Sequence, residues 1–211
     1  MARRTRATVG SGGPVGKISL GVELGKVDWF GRLVRRLEPG ALSRKLLRVP
    51  QADAQRLLRA VIRRVADIPV GSSPRVVWQQ AGAELLVLTE QTTIACTRGL
   101  VTIGVTVQCD QTSGSVALPV PIAVGTADAP AGLVMHTFDR LAGPDVVTGR
   151  WSGAVTAFAW EALLELARTV CAEVGKDTAG RSLIPGSIAA DSRLLLLQPM
   201  ARHALRPKES R

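Results

Sequence analysis

The residues best equipped for covalent chemistry in this chain are Cys109, Asp110 and His136, which offer a thiol, a carboxylate and an imidazole. Brought together, they would make a thiolate nucleophile with its base and an orienting acid. Nothing in the spacing brings them together. Cys109 and Asp110 are neighbours, but His136 falls in a separate apolar run, Leu133 to Phe138. A single histidine in a strand-like run and small apolar cysteines are more often structural than catalytic. The second histidine, His203, lies in a proline-punctuated stretch that would not hold a base in place.

Metal and redox chemistry are no better supplied. The three cysteines, Cys96, Cys109 and Cys171, are widely spaced and odd in number, so they form neither a disulfide framework nor a ligand motif. They fit a reducing, cytoplasmic compartment. Glu161 and Glu165 stand one helical turn apart as a carboxylate pair, but a solvated helix face explains them equally well. The expectation is a protein that is not an enzyme and carries no cofactor or metal. A Cys/His-dependent enzyme is the second alternative.

The stretch Gly10 to Ser19, GSGGPVGKIS, looks like a phosphate-cradling loop with Lys17 in the lysine position. The pattern wants glycine where Ser11 stands and serine or threonine where Ile18 stands. It also wants a strand before it and a helix after it, and this segment follows a basic terminus instead. We read it as leader.

Charge is the more informative signal. The net charge is +10, but residues 1–75 hold 16 Lys and Arg against 5 Asp and Glu. Residues 76–150 hold 3 against 6, and residues 151–211 hold 8 against 6. One third of the chain therefore carries the whole excess, which points to a negatively charged partner and says little about fold. The candidate binding residues are Arg32, Arg35, Arg36, Arg44, Lys45, Arg56, Arg59, Arg63 and Arg64.

Three partner classes follow. The expected one is an acidic protein surface or a larger protein assembly. Nucleic acid is the alternative, because Ser43 to Arg64 can be read as a short helix, a tight connection and a longer arginine-bearing helix, similar to a helix-turn-helix. That reading is strained where Arg48 replaces the turn glycine and Arg44 replaces a small buried residue. A chain with no tyrosine and few aromatics also lacks stacking platforms for unpaired bases. A membrane surface is disfavoured: Trp29 and Phe30 could insert, but Leu57, Leu58, Val61 and Ile62 are needed for the core. No apolar run approaches the roughly 20 residues that cross a bilayer, and the basic start lacks the apolar block of a signal peptide.

These residues must be held by elements legible from periodicity. Residues 1–26 contain six glycines beyond Val9 and no sustained period, so we expect an irregular leader. Helical spacing of Phe30, Leu33, Val34 and Leu37 predicts a helix from Asp28 that Pro39-Gly40 ends, and Leu42, Leu46, Leu47 and Val49 predict a short basic helix before Pro50. Ala54, Leu57, Leu58, Val61, Ile62 and Val65 form the clearest stripe in the chain, on a helix from Gln51 to Asp67.

After Ser72 the period changes to two. Strands are expected from Val76, at Glu84–Thr89, Thr92–Thr97, Leu100–Cys109 and Val116–Val124, with a final run at Gly132–Phe138. Pro119 and Pro121 lose N–H groups on the same side of their strand, which places it at a sheet edge. Short connections favour an antiparallel meander. Ser152 is expected to cap a long helix that ends at Gly175.

The fold class expected is therefore α+β: an antiparallel sheet of five or six strands (about 75–138), flanked by basic N-terminal helices and one long C-terminal helix. Layers of helices on both faces of the sheet would make three in all. The expected organisation is a leader at 1–26, one domain at 27–175 and a C-terminal arm at 176–211.

Overall fold

The computed structural model describes residues 46–129, 131–132, 136–137, 141–177 and 179–201. The expected leader, the helix from Asp28, Arg32, Arg35, Arg36, Arg44, Lys45 and His203 lie outside the described residues.

The chain enters as a strand. Leu47–Pro50 (β1) alternates buried and exposed residues and pairs antiparallel with a strand at the far end of the sequence. This corrects the short basic helix expected before Pro50. Leu47 and Val49 fit a two-residue period as well as a helical one, and pairing to Leu197 and Leu195 decides between them. Pro50 then stands just before Gln51–Val65 (α1), where an N–H has no helical partner to lose. The apolar stripe of α1 is consumed by the core: Ala54, Leu57, Leu58, Val61 and Ile62 are all buried.

Arg75–Gln80 (β2) and Ala83–Leu88 (β3) form a hairpin whose two turn residues, Ala81 and Gly82, both have positive φ, the backbone that matches the twist of a tight antiparallel turn. A single 3₁₀ turn, Thr89–Gln91, separates β3 from Thr93–Thr97 (β4). Both β3 and β4 pair antiparallel with the same strand, Leu100–Gln108 (β5), so they are two halves of one strand broken by the turn. Val116–Ala123 (β6) pairs with the other side of β5 along its whole length. Beyond β6, among the described residues, lies a two-residue strand, His136–Thr137, which meets Ile122 and Ala123. The outer side of β6 around Pro119 and Pro121 has no strand partner among the described residues, as two missing donors on one side require.

The second sheet was not anticipated. Leu183–Asp191 (β9) and Leu194–Ala201 (β10) form a hairpin, with β1 on one side and Ala131–Gly132 (β7) on the other; His136–Thr137 is β8. Residues 183–201, expected as part of an arm, are thus central: Ile188, Ala189, Ala190, Leu195, Leu196 and Leu197 are buried. The two sheets are joined at the β4–β5 turn. Gly99 donates to the Ala190 carbonyl at 3.0 Å and Arg193 to the Cys96 carbonyl at 3.0 Å.

The long helix, Asp145–Val174 (α2), begins seven residues before the expected cap at Ser152. Gly149 and Gly153 weaken helix propensity there, yet Val147 and Trp151 are buried one turn apart in line with Val155, and their packing outweighs the two glycines. Helices α1 and α2 lie side by side, bridged by Arg64 and Glu165 at 2.5 Å. Inward residues of both helices and both sheets form one apolar cluster. The opposite face of the larger sheet, with Thr93, Ala95, Thr97, Ala117 and Pro119, is exposed. Among the described residues, α1 and α2 both spend their apolar surface in the one cluster on the inner face of the larger sheet; the helix expected from Asp28 as a further flank lies outside the described residues.

Candidate functional site

The thiol grouping is not assembled. Cys109 follows the last residue of β5, whereas His136 pairs with Ala123, which itself pairs with Leu100 at the first residue of β5. The nine-residue strand between them sets the backbones roughly 30 Å apart at the usual rise per residue. Cys109 and Asp110 do line a groove of about 750 Å³, with Glu84, Gln111, Arg150 and the start of α2. The helix N-terminus there would favour an anion, but Asp145 already sits in its first turn and Glu84 and Asp110 are among the lining residues. No histidine is among the residues that line this groove. Burial pushes the Cys96 thiol up to about 11 and the Cys171 thiol up to about 12, which keeps both protonated and inert. Among the described residues no group of three or more His, Cys, Asp or Glu side chains could hold a metal ion. No described helix is long and apolar enough to cross a membrane.

The basic surface divides more finely than the sequence suggests. At 100° per residue, Arg56, Arg59 and Arg63 fall within one stripe of α1, while Arg64 points to the other shoulder. Arg64 is occupied as the bridge to Glu165 of α2. Arg63 donates to the Ser72 carbonyl at 2.8 Å and stands 3.7 Å from Glu90. Arg56 pairs with Asp53 three residues before it. Arg59 is exposed and makes no ion pair among the described residues. The stripe is thus held loosely by local partners. Such surface pairs are worth roughly 0–1 kcal/mol each, so a stronger anionic partner can replace them. The helix-turn-helix alternative loses its first helix to β1, since residues 47–50 are extended.

Two residues that composition does not single out complete the site by holding α1 in place. Gln51 Oε1 accepts from the Cys96 N–H at 2.9 Å, and Gln55 Oε1 accepts from the Ile94 N–H at 2.8 Å. Gln55 Nε2 donates back to the Thr92 carbonyl at 2.8 Å. The two amides, one helical turn apart, stand in for a neighbouring strand along the outer edge of β4. The signal was available in the sequence, because Gln51 and Gln55 fall in line with Leu58 and Ile62 on the buried side of α1, where an unpaired polar group is costly.

No protein-family model, curated protein or solved structure matches the chain.

Proposed function

We propose that this protein is a non-enzymatic binding module that docks through the basic surface of its N-terminal third onto an acidic protein surface, as part of a larger assembly. The observation that carries this reading is the division of α1. Ala54, Leu57, Leu58, Val61 and Ile62 of its apolar stripe are buried in the core, so the arginine stripe of Arg56, Arg59 and Arg63 is the side left for a partner. Arg32, Arg35, Arg36, Arg44 and Lys45 precede α1 directly in the chain and add to the same excess. Separation of Cys109 from His136 along β5 weighs against the thiol enzyme. The extended backbone at residues 47–50 weighs against a helix-turn-helix reader.

The test is affinity capture of the full chain from its native cell extract, with and without nuclease, at low and high salt. The expected result is a protein partner that survives nuclease and weakens with salt, because charge complementarity of this kind is screened. Capture abolished by nuclease, with a steep salt dependence, would replace this reading with nucleic-acid binding through phosphate contacts.

A further inference from the structure

The loop that follows α1 is tied back onto the arginine stripe. Pro69, Val70, Gly71 and Ser72 make a tight turn: the Ser72 N–H donates to the Pro69 carbonyl at 3.1 Å, and Gly71 has a φ of +84°, which marks a type II turn. The turn is clamped from the helix. Arg63 Nη2 donates to the Ser72 carbonyl at 2.8 Å, and the Ile68 N–H donates to the Arg63 carbonyl at 2.8 Å. Arg63 therefore holds both ends of residues 68–72 in a fixed relation to the helix surface.

What the clamped turn displays is an apolar side chain. Val70, at its second position, is 87% exposed, whereas Val146 and Met200, the other large hydrophobic residues exposed among the described residues, reach 46% and 45%. A single exposed apolar residue needs no explanation by itself. Val70 differs in where it is held. The ends of such a turn lie less than about 7 Å apart, so Val70 stands close beside the carbonyl that Arg63 grips. Arg59 lies one helical turn before Arg63, and Arg56 three residues further back. Charge and apolar surface thus form one strip, basic along α1 and apolar just past its C-terminal end.

The Arg63 head keeps a donor for a partner while it clamps the turn. A guanidinium carries five N–H donors in a planar fork. Arg63 Nη1 stands 3.7 Å from the exposed Glu90, beyond hydrogen-bond reach. A partner's carboxylate can take that side without loosening the Nη2 bond to Ser72. We propose, on the reading of the outward side of α1 as a docking face, that its partner presents an acidic segment with an apolar side chain at one end. The carboxylates meet Arg56, Arg59 and Arg63, and the apolar side chain packs on Val70. Charge steers such a segment to the surface, and the apolar contact fixes how far along the helix it settles. Arg63 is then a positioning residue as well as a charge, because it sets Val70 against the stripe.

Titration of the full chain with an octaglutamate peptide, and with the same peptide carrying leucine at each end, tests this by NMR at low salt. Both peptides should shift the resonances of Arg56, Arg59 and Arg63, and only the leucine peptide should shift the Val70 methyls. The leucine peptide should bind at least about fivefold tighter, the scale set by burying one apolar side chain on another. Val70→Ser should melt with the unaltered chain and remove that gain, while octaglutamate binding stays as it was. Arg63→Lys keeps the charge but not the fork, and should lose most of the gain with little change for octaglutamate. Equal affinity for the two peptides, or a gain that survives either substitution, would overturn the proposal and leave the docking reading standing. Failure of octaglutamate itself to reach the arginines would overturn both.

Discussion

The two sides of α1 do opposite work. The inward side carries Leu57, Leu58, Val61 and Ile62 into the core and uses Gln51 and Gln55 to close the β4 edge; every group on it is committed. The outward side carries Arg56 on a local pair, Arg63 on an exposed pair with Glu90 and a part-buried bond to the Ser72 carbonyl, and Arg59 with no ion pair among the described residues. The contrast teaches that charge density alone does not mark a binding surface. What marks it is charge that no other part of the fold already holds, and by that criterion Arg59 stands apart from Arg64, tied to Glu165, and from Arg63, bonded to the Ser72 carbonyl.

Breaking the inward side should give the largest effects. Leu58→Ala removes a fully buried side chain at the centre of the helix stripe, and a loss of about 2–5 kcal/mol is expected in urea unfolding. Next comes Gln55→Ala, which leaves the Ile94 N–H and the Thr92 carbonyl without their partner behind the helix. That should cost about 1–3 kcal/mol. It should also speed exchange of the Ile94 amide more than that of Cys96, which Gln51 still serves. A smaller effect is expected from Arg64→Ala, at most about 1 kcal/mol and reduced by salt, because both partners of that bridge remain partly exposed. Smallest of all, Arg59→Ala should stay within about 0.5 kcal/mol of the unaltered protein. A large loss at Arg59 would dissolve the distinction between the sides.

The inward side was legible from sequence because its signal is local: five buried residues repeat at 3.6-residue spacing within α1. The strands from β2 to β6 were legible for the same reason, as alternation is read within each run. What escaped depended on distant partners. Leu47 and Val49 become a strand only because Leu194–Leu197 lies beside them, and the β9–β10 hairpin is central only because β1 and β7 flank it. The start of α2 was hidden by Gly149 and Gly153, whose low propensity yields to burial of Val147 and Trp151. Of the candidate site, the arginines were visible as composition. Which of them are already engaged was not, because Glu165 lies 101 residues from Arg64 and Glu90 lies across the β2–β3 hairpin from Arg63.

The central claim is that the outward stripe of α1 is available to a partner while contributing little to the fold. It is tested most directly by combining Arg56→Gln, Arg59→Gln and Arg63→Gln, then measuring thermal unfolding and capture from native extract on the same preparation. The account predicts a melting temperature within a few degrees of the unaltered protein and at least about tenfold less partner captured, the equivalent of roughly 1.4 kcal/mol. Undiminished capture by a variant that melts normally would contradict it.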